Sequence, residues 1–261
     1  MSRTQLGLFD TPPRRRETQV AVAIVVLLIV SLLVIFPLGA IRLPETHGFV
    51  PAINATMFVS EVVIATLLFA QAAIFRSRAL VVLGSGYCFI ALLVIPHALT
   101  FPGAFAPDGL LGAGVSTTAW IGATRRIAFP TAVLIYVLMI RDCPQAESPS
   151  RPGLWTGIGI AVAIGLAAAV TGLATVGHEL LPPLFTSRRD VIYPNVLAMN
   201  GTAIVMTLVA IATLYRRRNS VLDVWLLVAL TAWLIQSIVN LPLHGRFTLG
   251  WYSLFAMMLA S

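Results

Sequence analysis

Ionisable side chains interrupt two of the long apolar stretches of this sequence. Glu61 lies in one stretch, and Arg125 and Arg126 lie in another. A charged side chain is costly in hydrocarbon and persists there when it is paired or functional. At about 1.5 Å per residue, Glu61 lies about 15 Å from the start of its stretch at Pro51, and the arginines lie about 12 to 14 Å from the start of theirs at Thr117. The matching depths predict an ion pair between Glu61 and one of the two arginines.

Amide side chains in other apolar stretches add to this polar set. Gln236 and Asn240 are four residues apart and therefore share one face of a helix, which also carries Trp233. Asn54 precedes Glu61 by seven residues on the same stripe. Polar positions gather in one half of the predicted helices, and the other half is almost purely aliphatic.

The predicted ion pair has two interpretations, a structural lock between helices or one wall of a polar ligand pocket. For Trp251 and Tyr252, simple anchoring at the bilayer interface is the alternative to ligand contact. The candidate ligand-binding residues are Glu61, His97, Trp120, Arg126, Gln236, Asn240, Arg246, Trp251 and Tyr252.

The four histidines all map to the same half of the predicted bundle as the polar positions, at the ends of spans or in the loops between them. Imidazole binds metals and titrates near neutral pH, so a metal, haem or proton-sensing site is one interpretation. No two histidines have the i, i+4 spacing of a helix-borne site, which favours ordinary interfacial side chains. Pro96 predicts a break in the helix beside His97, leaving free backbone groups there. The sequence identifies no metal and no cofactor. The four histidines are His47, His97, His178 and His244.

Catalytic groupings are missing from the sequence. It contains no Ser/His/Asp or Cys/His set at a common depth, no phosphate-binding glycine loop and no paired carboxylates on one face. Cys88 and Cys143 have no spacing typical of a disulfide or zinc site, which indicates structural roles. We therefore expect no enzyme activity within these residues.

The elements that must position these side chains are transmembrane helices. Of 261 residues, 58% are hydrophobic and 10% are charged, too few polar residues to cover a soluble globule. A span needs about 20 mainly apolar residues, and each stretch is too long for a barrel strand. The predicted spans are 19–40, 51–75, 79–97, 117–140, 154–176, 196–215, 221–242 and 248–261.

The sequence therefore predicts an all-α integral membrane protein, with seven complete transmembrane helices and an incomplete eighth. Residues 1–18 are a predicted cytoplasmic segment, and 19–261 are the membrane domain. The segment 98–116, whose one charged residue is Asp108, is predicted to fold back over the bundle. Gly153 and Gly157 are interpreted as a close helix contact.

Arginine placement predicts orientation. All 17 basic residues other than histidine are arginine. With a cytoplasmic N-terminus, eleven lie in inside segments, four in outside loops and two within a span, which satisfies the positive-inside rule. The polar half then faces outward. The arginines cluster at the ends of the spans and do not line one face, as a nucleic-acid surface would require. This placement also excludes nucleic acid as a partner.

Several ordered motifs then indicate a family. They are the stretches 51–57, 67–71, 95–105, 118–120, 129–130, 223–226 and 246–252. In these stretches the chain resembles the fourth type of the MASE series, the membrane-associated sensor domains of bacterial signalling proteins, and the resemblance runs from about residue 20 onward. The motif around His97 is its most specific part.

This resemblance implies a multi-pass sensory input module of the bacterial inner membrane, joined through its last helix to a cytoplasmic histidine kinase or diguanylate cyclase, with a homodimer expected by analogy. The chain carries neither output domain, so an incomplete receptor is expected. The resemblance also implies a histidine shortly before Phe129-Pro130, where this chain instead has Arg126.

The predicted mechanism is that a small ligand, a lipid or quinone-like molecule, or a membrane state contacts the outer-half pocket and shifts the packing of the bundle. A small secondary transporter or channel is the alternative, although polar groups confined to one half disfavour a continuous path. A passive membrane scaffold is a third possibility.

Overall fold

In a computed structural model, residues 11–46, 48–142, 152–186, 191–241 and 247–259 are described. Within these residues the chain forms eight α-helices and one short 3-10 helix, His178–Leu180. The α-helices are α1 Arg15–Leu38, α2 Phe49–Phe75, α3 Arg78–Leu99, α4 Thr117–Asp142, α5 Pro152–Thr175, α6 Tyr193–Arg217, α7 Val221–Val239 and α8 Leu249–Leu259.

Seven of these helices are long and apolar enough to cross a membrane, and α8, with 11 residues, is not. The predicted architecture of seven spans and a short eighth helix is therefore confirmed. Local sequence explains the helix starts, since Ser77 accepts a hydrogen bond from the Leu80 amide and Ser220 forms a capping box with Asp223. Many large apolar side chains on the outer faces are exposed, as lipid contact requires.

Helices α3 and α7 form two centres of packing. Helix α3 packs against α2, α4 and α5, whereas α7 packs against α1, α6 and α8. Helix α4 joins the two groups because it packs against α3, α5, α6 and α7. Side chains positioned on α4 can therefore reach both halves of the bundle.

Short connections make successive helices antiparallel. Two residues join α2 to α3 and three join α6 to α7. The ends of α1, α3, α5 and α7 consequently lie with the starts of α2, α4, α6 and α8. We call this the His97 end, because His97 lies in the last turn of α3.

Proline 96 does not break α3, contrary to the sequence interpretation. The helix continues through Pro96 to Leu99, and the amide of Thr100 donates to the Pro96 carbonyl at 2.9 Å. Proline removes its own N–H but leaves its carbonyl able to accept the next turn's hydrogen bond. The backbone beside His97 is therefore helical.

The segment 98–116 folds back onto the bundle, as predicted. Phe101 is buried beside Val50 and Phe255, and the Thr118 hydroxyl donates to the Thr100 carbonyl at 2.9 Å. Gly109 adopts a φ of 84°, and a Cβ there would lie 2.4 Å from the Thr100 carbonyl oxygen. Only glycine allows this return of the chain.

The aliphatic description of the opposite half was wrong. At that end, the Tyr136 hydroxyl donates to Oδ1 of Asp223 at 3.2 Å, and both side chains are buried. Asp223 Oδ2 accepts from the amides of Asn219 and Ser220. This carboxylate, part of the α7 capping box, joins α4 to α7.

Small residues allow close helix approach at positions other than those expected. A Cβ on Gly86 of α3 would lie 2.4 Å from the Ala132 Cβ, and one on Gly159 of α5 would lie 2.3 Å from Ser85 Oγ. At Gly153 and Gly157, a Cβ would meet nothing within 4 Å. The prediction for this last pair was therefore wrong.

We expect Gly86→Ala to destabilise the protein by about 1 to 3 kcal/mol, the usual effect of overpacking. The new Cβ meets a Cβ fixed to the α4 backbone, so one of the two helices must move. Thermal unfolding in mild detergent measures the effect. Gly165→Ala is the matched control, since a Cβ there meets nothing within 4 Å. Equal stability of the two variants would contradict the close α3–α4 contact.

Candidate ligand-binding site at the His97 end

The ion pair expected for Glu61 forms with Arg125. Nη2 of Arg125 donates to Oε1 of Glu61 at 2.6 Å, which links α4 to α2. The Arg125 side chain is fully buried and that of Glu61 is 12% exposed. Oε2 of Glu61 and the remaining two guanidinium nitrogens of Arg125 have no hydrogen-bond partner among the described residues. The pair is thus a single charge-assisted contact in an apolar surrounding.

Arg126 points elsewhere because successive residues of an α-helix are rotated by about 100°. It is partly buried and lines a cavity between helices at the His97 end. Thr118 and Gly122 line the same cavity, as the i, i+4 spacing along α4 requires. Arg125 therefore lies in an ion pair, whereas the adjacent Arg126 forms part of a cavity wall.

The cavity has a volume of about 100 Å³ and combines polar and aromatic walls. Five of the nine predicted site residues line it, from α3, α4, α7 and α8. The structure thus brings together His97, Arg126, Gln236, Asn240 and Trp251.

His97 is held on the side that faces α2. Its Nδ1 lies 3.3 Å from the Asn54 amide nitrogen, and both side chains are buried. A Cβ on Gly122 would lie 3.6 Å from His97 Nε2, so the other ring nitrogen faces α4. The ring therefore spans the space between α2 and the cavity.

Asn240 is fixed by a residue that sequence analysis did not single out. Its amide nitrogen donates to Asn200 Oδ1 at 3.0 Å, and the Asn200 amide nitrogen donates to the Asn240 carbonyl at 3.3 Å. Asn200 is fully buried in α6. A buried amide in an apolar span is the signal that would have identified it.

Helix α8 closes one side of the cavity with Trp251, Leu254 and Phe255. The start of this helix is tied to the connection between α1 and α2. The amide of Leu249 donates to the Ile41 carbonyl at 2.8 Å, and that of Gly250 donates to the Gly39 carbonyl at 3.1 Å. Backbone hydrogen bonds therefore link this wall of the cavity to the connection between α1 and α2.

Three predicted residues contact other parts of the bundle. Glu61 pairs with Arg125, as above. Trp120 Nε1 donates to the Pro182 carbonyl at 3.0 Å. The Tyr252 hydroxyl donates to the Pro44 carbonyl at 2.7 Å. None of these three side chains lines the cavity, and Arg246 lies outside the described residues.

Two of the four histidines, His47 and His244, also lie outside the described residues. Nδ1 of His178 lies 2.8 Å from the Thr175 carbonyl oxygen, at the end of α5. No group of three or more His, Cys, Asp or Glu side chains that could hold a metal occurs within the described part of the chain. Cys88 is a free thiol, and Cys143 lies outside that part.

A bundle with seven helices long and apolar enough to span a membrane defines a multi-pass membrane protein, and this one has a cavity of mixed polar and apolar lining at one end. The MASE4 family, described as a membrane-associated sensor, integral membrane domain, matches residues 44–261. The chain belongs to this family, which confirms the resemblance. The match includes all the cavity-lining residues, and α1 precedes it. No curated protein and no solved structure matches the chain.

We expect Arg125→Met to lower the free energy of unfolding by about 3 to 5 kcal/mol, because it leaves the Glu61 carboxylate buried without its partner. Denaturant unfolding in mixed micelles measures this effect. The double variant Glu61→Gln with Arg125→Met removes both charges and should recover most of the loss. If Arg125→Met alone is as stable as the parent, the ion pair contributes nothing to the free energy of unfolding.

Proposed function

We propose that this chain is the sensory input module of a bacterial receptor, and that a small ligand in the cavity at the His97 end is its stimulus. Lipid or quinone-like molecules are among the candidates, and a membrane state that alters the same cavity would act in the same way. The observation that carries the proposal is that α8 supplies three side chains to the cavity wall. A change in occupancy therefore acts directly on α8, the last helix that the structure describes.

Arginine placement supports a periplasmic position for the cavity. The clusters 14–16 and 216–218, together with Arg76 and Arg78, lie at the opposite end of the bundle. Under the positive-inside rule this arginine-rich end is cytoplasmic. The N-terminus is then cytoplasmic, and α8 runs from the periplasmic side toward the cytoplasm.

The packing of α8 supports a two-state mechanism. Its aromatic side chains contact a cluster that includes Phe49 of α2 and Phe101 of the 98–116 segment. A ligand that binds one packing of this cluster more tightly shifts α8 between two positions. Ordinary coupling of about 1 to 3 kcal/mol is enough for a response.

The output partner in this proposal is a cytoplasmic histidine kinase or diguanylate cyclase module that follows α8 or associates with it. A homodimer is proposed because such outputs act in pairs. The module itself has no enzyme activity in this proposal, and its permanent surrounding is the lipid bilayer.

The cavity is tested by native mass spectrometry of the protein in mild detergent. We expect a stoichiometric extra mass on the parent chain and on Gly165→Leu, whose side chain faces outward. Gly122→Leu should lose this mass because its side chain fills the cavity. Gly122→Ala, whose Cβ would lie in ordinary contact with His97, should fold normally and retain less ligand.

An extra mass that survives Gly122→Leu would place the ligand outside the cavity and contradict the proposal.

The transporter or channel alternative is tested in liposomes. Substrate or proton flux that Glu61→Gln abolishes would replace the sensor proposal with that alternative.

Orientation is tested with alkaline phosphatase fusions, since this enzyme is active only after export. We expect high activity for a fusion after Pro107, in the 98–116 segment, and low activity for one after Arg218. A fusion in the α1–α2 connection, after Glu45, should match the first. The reversed pattern would place the cavity on the cytoplasmic side.

A further inference from the structure

Arg126 is a cation inside the helical bundle that has no counter-ion among the described residues. It forms no ion pair with any residue that the structure describes, and its Nε is buried without a hydrogen-bond partner there. Its neighbour Arg125 takes the carboxylate of Glu61. One carboxylate and two guanidinium groups leave this part of the bundle with a net charge of +1.

The side chains around the cavity do not offset this charge. Among the described residues that line it, there is no Asp or Glu. Gln236 and Asn240 carry amide groups, and His97 carries a ring N–H in its neutral form. All three residue types can donate hydrogen bonds, as the guanidinium does.

From this arrangement we infer that the cavity binds an anionic oxygen group, a carboxylate or a phosphate, with Arg126 as its main partner. The inference rests on the proposed function and specifies the chemistry of the ligand. A guanidinium presents N–H donors in a planar fork that matches both groups. A bound anion would offset this uncompensated charge, which gives a physical reason for an arginine at this position of an apolar helix.

The size of the cavity limits what fits inside it. A cavity of about 150 Å³ holds benzene, so about 100 Å³ holds a headgroup or a very small molecule. Trp251, Leu254 and Phe255 provide apolar wall for a short carbon chain beside the anionic group. The anion can belong to a free small acid or to the head of a lipid.

The test is a thermal-shift titration of the full chain in mild detergent at constant sodium concentration. The probes are butyrate with its neutral isostere butyramide, octanoate with octanamide, and inorganic phosphate. We expect a saturable rise in Tm with at least one anion. Each neutral amide should bind at least about tenfold more weakly, because hydrogen bonds to a charged partner are the stronger ones.

The two chain lengths distinguish the sources of the anion. A response to butyrate or phosphate indicates a free acid, whereas a response to octanoate alone indicates a lipid-borne headgroup. Octanamide controls for partitioning into micelles, since it shares the alkyl chain and lacks the charge.

Arg126→Met should abolish the response to anions while folding at least as stably as the parent, because it removes an uncompensated cation. Arg126→Lys keeps the charge and should retain a weaker response, since an ammonium lacks the planar fork. Arg216→Met is the matched control at an exposed arginine of the opposite end and should respond as the parent does.

Equal responses to an acid and its amide would overturn the inference, as would an undiminished response in Arg126→Met or no response to any of the anions. A neutral ligand that Gly122→Leu displaces would leave the proposed function standing without the anionic specificity. Marked destabilisation by Arg126→Met without ligand would instead assign this arginine a structural role.

Discussion

Two adjacent arginines in one apolar helix are the constraint on which the organisation of this bundle depends. Residues 125 and 126 of α4 diverge by about 100°, so a single acidic helix face cannot serve both. Glu61 of α2 accepts from Arg125 at 2.6 Å. Arg126 lies against the cavity, on a different face of α4. In hydrocarbon an unpaired charge is costly, so the second arginine places an uncompensated cation at the cavity wall.

Helix α4 can place one arginine in an ion pair and the other against the cavity because it lies between α3 and α7, the two centres of packing. It contacts α3 and α5 on one side and α6 and α7 on the other. Polar contacts fix it at both ends of the bundle, through Thr118 and Thr100 at the His97 end and through Tyr136 and Asp223 at the opposite end. Small residues at the α3–α4 contact, Gly86 and Ala132, keep the backbones close. In the proposed mechanism this held helix is the fixed side of the cavity.

In the same proposed mechanism, helix α8 is the side of the cavity that moves. It is short, packs against α1, α2 and α7, and joins the α1–α2 connection through backbone hydrogen bonds at its start. Gly39 and Gly250 meet there, and a Cβ on Gly250 would lie 3.1 Å from the Gly39 carbonyl oxygen. Aromatic rings of α8 contact Phe49 and Phe247 at the His97 end.

The helices, their approximate limits and the family were predictable from sequence, because length and hydropathy alone decide what can cross a bilayer. The shared face of Gln236 and Asn240 followed from helical period, and the depth of Glu61 indicated an arginine partner. Only the tertiary structure decided which arginine that was, since adjacent depths are nearly equal and the choice depends on helix rotation. It also placed Trp120 and Tyr252 outside the cavity, brought Asn200 to Asn240, and continued α3 through Pro96. These outcomes depend on which helices are neighbours and how each is turned, and a one-dimensional pattern does not specify either.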